Sequence, residues 1–401
     1  MVSPPENLVL EISAQGGDLC PVRCRHCIHR NVGHSAYPKL SPTQILDVIE
    51  QGKDLGVKCL NIYPHQGDVA LGEQDEITEY LRLARNLGLQ VKSITSGINP
   101  RGVERLLPLL DRLAISVDAL DPQTYGVFRS PANFTGLLET LTLLHAYKRI
   151  RPDLCLTALV MVSKQTLDSI ERRVAEIIEL GIFSKIKLLE VLPIGGASAM
   201  RAQALLEKSF LLRLADVQRR YQKEGLRIGV PLWRVKNHSR GCRLGSKDLV
   251  VGPHGELAGC SLLLYLNQFT GNLHEVPLSE AWRHNFQRFR EKASREVALL
   301  CKACPFYQED LCWGGCLARG DIFGREAEIS RSCGVRSVKE AGLLYDRFCQ
   351  WSRQCSEGVF SAISGLTYQG EPFRVPSRFV WSPPFKGSSA AAAAPGSGKT
   401  A

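Results

Sequence analysis

The first two hundred residues alternate between short apolar runs and amphipathic helical patterns, and this alternation limits the possible folds more than any other feature. A helix start is clearest at Ser41, where a capping serine precedes Pro42 at the first helical position and Gln44 completes a capping box. Strand–helix units in series predict a parallel sheet covered by helices, which either closes as a barrel or stays open and doubly wound. The predicted strands are 8–12, 58–63, 89–94, 112–117, 154–162 and 186–192.

Three cysteines, Cys20, Cys24 and Cys27, follow the first predicted strand. Three thiolates on one tight loop can hold three irons of a cubane cluster and leave the fourth iron open to a substrate, whereas electron-transfer clusters are usually fully ligated by cysteine. Zinc is the alternative, because His26 or His29 can complete the four ligands that zinc normally takes. The spacing alone leaves both metals open.

Polar residues also follow the other predicted strands, at 65–68, 95–97, Asp118 and 193–196. Glycine, serine and aspartate are ordinary turn residues as well, so each of these loops alone is a weak signal. In barrel folds, however, the active site is built from loops at the carboxyl ends of the strands. Together with the cysteine loop, these segments predict one shared site at that end of the sheet.

The chain contains a second group of cysteines between residues 242 and 333. Closely spaced pairs are typical of zinc sites, but seven thiolates do not divide into whole four-ligand sites. Iron–sulfur clusters tolerate such a number, because one iron can carry an open or non-cysteine position. The seven residues are Cys242, Cys260, Cys301, Cys304, Cys312, Cys316 and Cys333.

Composition and charge limit the cellular compartment and the binding partners that we expect for this protein. No run of eighteen apolar residues and no secretory signal is visible, so we expect a cytoplasmic protein that does not engage a membrane. Fourteen cysteines in that setting indicate metal binding in a reducing compartment. The net charge of +10 comes from scattered basic residues without a recognition motif, so nucleic acid is not the expected partner. A zinc-bearing nucleic-acid-binding module remains the distant alternative.

The spacing of Cys20, Cys24 and Cys27 resembles the signature of the radical S-adenosylmethionine enzymes, over about residues 7–230. This resemblance implies an α/β fold, a partial (β/α)6 barrel, and a [4Fe-4S] cluster on the three cysteines. It implies that S-adenosylmethionine chelates the fourth iron and that a donor such as flavodoxin or ferredoxin supplies an electron. Reductive cleavage would then give a 5′-deoxyadenosyl radical, which abstracts hydrogen from a substrate.

The same resemblance implies the contacts to S-adenosylmethionine. Gly67-Asp68 resembles the end of the family's Gly-Gly-Glu stretch, with an acid shorter by one methylene, and His26 stands where an aromatic residue is usual. The turn 95–97 resembles a Thr-Asn-Gly turn, and 192–196 resembles the turn beside the adenine. The implied cofactor-binding residues are His26, Gly67, Asp68, Ser96, Ser116, Asp118 and Arg129.

The second cysteine group resembles the SPASM domain, over about residues 240–335, although the gap of seven residues between Cys304 and Cys312 exceeds the usual five. The resemblance implies one or two auxiliary [4Fe-4S] clusters. The first would use Cys242, Cys260 and Cys316, and the second Cys301, Cys304, Cys312 and Cys333.

The predicted organisation is a radical S-adenosylmethionine partial barrel at 1–235, a SPASM domain at 236–345, an extension at 346–386 and a disordered tail at 387–401. Extra clusters suit a net two-electron oxidation of a substrate. The leading expectation is oxidative modification or crosslinking of a ribosomal peptide or protein. The alternative is a dehydrogenase or epimerase of a small molecule such as an aminocyclitol.

Overall fold

The computed structural model describes residues 4–13, 20, 22–30, 36–65, 67–71, 74–221, 225–231, 247–285, 287, 299–304, 308 and 316–324. Three predicted cluster ligands, Cys242, Cys312 and Cys333, lie outside these ranges, as do the segments 346–386 and 387–401. The chain forms two compact units. The first comprises 1–205, 225–228 and 243–296, and the second comprises 206–224, 229–242 and 297–401.

The described residues form a ten-stranded sheet whose first six strands match the six predicted from the sequence. Their boundaries differ from the predicted ones by one or two residues. The strands are β1 (Asn7–Ser13), β2 (Cys59–His65), β3 (Gln90–Thr95), β4 (Arg112–Ser116), β5 (Cys155–Val162), β6 (Lys185–Glu190), β7 (Arg227–Gly229), β8 (Asp248–Val251), β9 (Glu256–Ala258) and β10 (Gly271–Asn272).

The strand order decides between the two sheet types that the sequence left open. Across the sheet it is β10-β9-β8-β1-β2-β3-β4-β5-β6-β7, so strands β1 to β7 lie side by side in chain order. A doubly wound sheet reverses its order at a switch point, and this order has no reversal from β1 to β7. Neighbours from β1 to β6 are parallel. The sheet is therefore wound in one direction, as in the predicted partial barrel.

Helices follow the first strands, as the alternating pattern predicts. The helix that begins at Pro100 ends at Leu106 and continues as a 3-10 turn, because Pro108 has no N–H to donate. A helix that the sequence analysis missed begins at Pro122, where Asp121 caps it by accepting from the Thr124 N–H at 2.7 Å. The helices before residue 200 are α1 (Pro42–Asp54), α2 (Gln74–Asn86), α3 (Pro100–Leu106), α4 (Pro122–Phe128), α5 (Phe134–Ile150) and α6 (Ile170–Glu179).

The two faces of β1 have different neighbours. A Cβ added at Gly52 of α1 would lie 2.9 Å from Leu8 Cδ2, so Leu8 faces this helix. Because side chains alternate along a strand, Glu11 points to the opposite, inner face. Glu11 is 1% exposed there. The helix layer thus covers one face of the sheet, and polar side chains reach the other.

The strands β8 and β9 extend the sheet beyond β1. Strand β8 is parallel to β1, with Val9 opposite Val250, and β9 returns antiparallel to β8. The Asn7 amide donates to Asp248 Oδ1 at 2.7 Å and secures this pairing. Cys260 lies two residues after the end of β9 and directly precedes helix α8 (Ser261–Tyr265). The first strands of the cysteine-rich region therefore belong to the main sheet.

The remaining helices are α7 (Lys208–Tyr221), α9 (Leu278–Glu280), α10 (Leu299–Lys302) and α11 (Leu317–Phe323). Of these, α9 belongs to the first unit, and α7, α10 and α11 belong to the second. None of the helices in the described part of the chain is long and apolar enough to cross a membrane.

Candidate active site

The three cysteines of the first loop lie in two successive tight turns. The Arg23 N–H points to the Cys20 carbonyl and the Cys27 N–H to the Cys24 carbonyl, both at 3.4 Å, and Arg23 has a positive φ of 48°. All three thiols are half-buried and outside any disulfide. Burial is the main cause that raises the pKa of Cys24 to about 12; the Arg129 charge acts against it, and the neighbouring Cys27, Asp118 and Cys20 act with it. Thiols this close and this poorly solvated become good thiolates when a cation such as cluster iron neutralises them, so the loop fits a cluster.

Arg129 connects this loop to the end of the fourth strand. Its Nη1 donates to Cys24 Sγ at 3.2 Å, and its Nε donates to Asp118 Oδ2 at 2.5 Å. Arg129 is 6% exposed and Asp118 is 1% exposed. Burial alone would raise the pKa of Asp118, but Arg129 and further hydrogen bonds hold it below its usual value. The pair is therefore ionised, and it places a positive charge against a cysteine sulfur.

The segment around Asp118 is fixed from the other side by a second buried arginine. Arg173 of α6 is fully buried and donates to the backbone carbonyls of Asp118, Met161 and Thr166 at 2.8–2.9 Å. The Met161 N–H donates to Asp118 Oδ1 at 2.9 Å. These contacts join the ends of β4 and β5. The sequence analysis missed Arg173, because it lies in a helix where an arginine ordinarily faces solvent.

The carboxylate of Asp68 organises the ends of β2 and β3. Its Oδ1 accepts from the Ala70 N–H and the Thr95 hydroxyl, and its Oδ2 accepts from the N–H and hydroxyl of Ser96. The distances are 2.5–2.9 Å, and Asp68, Thr95 and Ser96 are all buried. Asp68 therefore fixes the shape of the turn 95–97, next to the position where the resemblance puts S-adenosylmethionine.

The glycine turn after β6 packs against the cysteine loop. A Cβ at Gly195 would lie 2.3 Å from the Ile28 carbonyl oxygen and 2.6 Å from the Arg30 carbonyl oxygen, and Gly195 has a φ of +54°. A Cβ at Gly196 would lie 2.9 Å from the Cys27 carbonyl oxygen. Only glycine fits this approach without movement of the loop. The last strand of the predicted barrel thus supports the cluster loop of the first.

The other predicted cofactor residues lie at the same end of the sheet. His26 is half-buried and packs edge-on against Phe128 of α4, with ring centroids 5.5 Å apart. Burial and the nearby Arg129 charge lower the pKa of His26 to about 4, so its ring is neutral. Gly67 and Ser116 are half-buried, beyond β2 and at the end of β4.

A polar cluster that sequence reasoning did not assemble lies on the inner face of β1 and β2. Glu11, His29 and His65 meet there, with ligand atoms within 4.8 Å of one another, and the Tyr265 hydroxyl donates to Glu11 Oε1 at 2.6 Å. The available signal was Glu11 itself, a charged residue inside an otherwise apolar predicted strand.

Four cysteines of the second group are described. In the first unit, Cys260 is half-buried before α8. In the second unit, Cys301 and Cys316 are buried, and the Cys304 N–H donates to the Cys301 carbonyl at 3.0 Å. The ligand sets predicted for the auxiliary clusters remain a prediction.

Two family models match the chain. The model of the radical SAM superfamily matches residues 15–177, and that of the SPASM iron–sulfur cluster-binding domain matches residues 242–305. The chain is therefore a radical S-adenosylmethionine enzyme that carries a C-terminal SPASM domain. Enzymes of this family use a [4Fe-4S] cluster and S-adenosylmethionine, and SPASM domains bind further [4Fe-4S] clusters.

Solved structures share the fold at low sequence identity. Streptococcus suis SuiB bound to S-adenosylmethionine is 18% identical with a TM-score of 0.59, and the match covers 79% of this chain and 74% of SuiB. Native anSMEcpe with bound AdoMet and the Cp18Cys peptide is 16% identical with a TM-score of 0.62, and covers 88% of this chain and 99% of anSMEcpe. None of the curated proteins matches the chain significantly.

Proposed function

We propose that this radical S-adenosylmethionine enzyme oxidatively modifies or crosslinks a peptide or protein. The observation that carries the chemistry is the buried chain of contacts from Cys24 through Arg129 to Asp118 at the carboxyl ends of the strands. The fold shared with anSMEcpe, which has been solved with a bound peptide, supports the substrate class. We place the protein in the cytoplasm with a flavodoxin- or ferredoxin-type electron donor.

Cys20, Cys24 and Cys27 would hold the cluster. When bound, the cluster would supply the electron for reductive cleavage of the C–S bond of S-adenosylmethionine to methionine and a 5′-deoxyadenosyl radical, which would abstract a hydrogen atom from the substrate. The residues of the chain position these groups. The Arg129 guanidinium donates to the sulfur of Cys24 and thereby stabilises its thiolate.

The cosubstrate would lie along the ends of β2 to β6. Ser96, held by Asp68, and the half-buried Ser116 offer hydroxyl groups for polar contacts. The ionised Asp118–Arg129 pair provides charge beside the ribose and carboxylate positions. Because Asp68 already accepts four hydrogen bonds, we assign it the positioning of Ser96 in addition to a contact with the cosubstrate amino group.

The SPASM cysteines would hold the auxiliary clusters. A two-electron oxidation leaves one electron on the substrate after the first hydrogen is removed, and that electron needs an acceptor. Cys260, Cys301, Cys304 and Cys316 of the described residues, with Cys242, Cys312 and Cys333 outside them, would supply the ligands. This requirement explains why a radical enzyme of this kind would carry two cysteine-rich regions.

Anaerobic incubation of the reconstituted protein with dithionite and S-adenosylmethionine tests the reaction class. We expect release of 5′-deoxyadenosine from the wild-type protein and its loss in Cys24→Ala. The matched control is Cys59→Ala, which removes a buried thiol that is 4% exposed within β2 and should retain the activity. Absence of 5′-deoxyadenosine from cluster-loaded wild-type protein would refute the proposal.

The substrate class needs a second experiment. Peptides encoded next to the gene would be incubated with the protein and the electron donor, and followed by mass spectrometry. Loss of two hydrogen atoms per modification, coupled to 5′-deoxyadenosine formation, would support the peptide assignment. Unchanged peptides, together with turnover of a small molecule such as an aminocyclitol, would replace it with the alternative.

A further inference from the structure

Three potential metal ligands converge on the inner face of the sheet, apart from the cysteines. Glu11 belongs to β1, His65 ends β2, and His29 follows the cysteine loop. Their nearest ligand atoms lie within 4.8 Å of one another, and His29 Nδ1 is 4.0 Å from Glu11 Oε2. Two imidazoles and one carboxylate from three separate segments are a ligand set that zinc and ferrous iron use in proteins.

Within the described part of the chain, each residue of this cluster has a buried polar atom without a hydrogen-bond partner. Glu11 Oε2, His29 Nδ1 and His65 Nδ1 are each buried and unpartnered, and the Glu11 side chain is fully buried. Buried polar atoms normally have a hydrogen-bond partner, so three such atoms without one in a single cluster need an explanation. A cation between them would satisfy all three at once.

Residues around the Glu11 carboxylate already hold it in an orientation that suits a metal ligand. The Tyr265 hydroxyl donates to Glu11 Oε1 at 2.6 Å and the Ser261 side chain lies beside the same carboxylate, while Oε2 lies 4.0 Å from His29 Nδ1. The Tyr265 ring lies 4.5 Å from the His29 ring and 6.2 Å from the His65 ring. Burial keeps His65 neutral by lowering its pKa to about 4, and neutral imidazole is the form that binds metal. The hydrogen bond from Tyr265 to Glu11 is typical of the outer shell of metal sites, where neighbouring residues orient the ligands.

We propose that Glu11, His29 and His65 form a binding site for one divalent transition-metal ion, Zn²⁺ or Fe²⁺, separate from the iron–sulfur clusters. Ligand atoms around tetrahedral zinc are about 3.3 Å apart at Zn–N distances near 2.0 Å, so the most widely separated ligand atoms need to approach by up to about 1.5 Å. Three protein ligands leave a coordination position open for water or for an oxygen or nitrogen atom of a substrate. Through Tyr265 the site contacts α8, which starts next to Cys260.

Zinc titration of the anaerobic, cluster-loaded protein tests this site. After treatment with EDTA, we expect the wild-type protein to bind one zinc ion. Glu11→Gln and His65→Gln should each raise the Kd for this zinc at least about 100-fold. Tyr265→Phe should weaken binding by about 10- to 100-fold, the usual effect of removing an outer-shell partner. His145→Gln, which removes an exposed histidine of α5, is the control and should bind zinc normally.

All cysteines remain in these variants, so zinc on a cysteine site would survive in Glu11→Gln. Equal zinc in Glu11→Gln and wild type, or no zinc in the wild type, would overturn the proposal. If a variant fails to fold, as judged by its cluster absorbance, zinc-edge X-ray absorption of the wild type decides. Nitrogen and oxygen neighbours at about 2.0–2.1 Å support the site, and a sulfur shell near 2.3 Å refutes it.

Discussion

At the scale of single residues, the protein places ionised groups where water cannot reach them. Arg129 and Asp118 form an ion pair with side chains 6% and 2% exposed. An isolated charge at such a depth is very unfavourable, so each charge of the pair offsets the desolvation cost of the other. The arginine also holds a cysteine sulfur, which couples the stability of the barrel to the shape of the cluster loop.

Removal of Arg129 should therefore destabilise the fold strongly. We expect Arg129→Gln to lower the free energy of unfolding by about 3–5 kcal/mol, because Asp118 would be left charged and unpaired. Urea unfolding of the anaerobic protein measures this. The control is Arg172→Gln, which breaks exposed pairs with Asp121 and Glu176 and should cost less than about 1 kcal/mol. Similar losses in both variants would contradict the argument.

At the scale of elements, close contacts between non-adjacent segments shape the site. Gly195→Ala should push the cysteine loop away, because its new Cβ would meet two carbonyl oxygens at 2.3 and 2.6 Å. We expect this variant to lose the iron of one cluster and its 5′-deoxyadenosine release. Gly181→Ala also places alanine at positive φ, 67°, but with no atom within 4 Å, so it should keep both. Iron analysis compares the two, and a fully loaded Gly195→Ala would contradict the expectation.

Lys185, the first residue of β6, should make the free energy of unfolding depend on pH. Burial and the nearby charges of Lys187 and Arg227 lower the pKa of Lys185 from 10.5 to about 8. The folded state then binds the proton less tightly than the unfolded state. The charged lysine therefore lowers the free energy of unfolding by its full amount below pH 8, and this destabilisation disappears as the pH rises towards 10.5. Lys185→Met should gain up to about 3 kcal/mol at pH 7 and progressively less at pH 9 to 10.

Urea unfolding at several pH values measures this gain. Lys53→Met in the last turn of α1 is the control, because Lys53 is exposed and is not one of the charges near Lys185, so its effect should not vary with pH. A gain in Lys185→Met that stays constant from pH 7 to pH 10 would show that the lysine is not the titrating group.

The sequence predicted local elements well, because strand and helix periodicities and the cap at Ser41 act over a few residues. It predicted the cysteine loop because three ligands are close in the chain. It could not predict that Glu11 meets His65 and Tyr265, or that β8 pairs with β1, because those contacts join residues far apart in sequence. Nor could it identify Arg173 as a buried connector, since the helical pattern gives no sign of the three carbonyls that it meets.

At the scale of the whole molecule, the two cysteine regions should load metal independently. If all three clusters form, anaerobically reconstituted protein should contain about twelve iron atoms per chain. Cys24→Ala and Cys301→Ala should each lose about one cluster's worth, four atoms. Only Cys24→Ala should also abolish 5′-deoxyadenosine release. Iron near four per chain with tightly held zinc in the wild type would contradict the auxiliary clusters.

The pairing of β8 with β1 has a consequence for biosynthesis. Among the described residues, 248–251 are the ones that pair with the outer edge of β1, and they leave the ribosome late in translation. An unpaired edge is a template for pairing with other chains. A fragment that stops at residue 235 should therefore self-associate, although it contains β1 to β6. Extension to residue 285, which restores β8 to β10, should suppress this in light scattering.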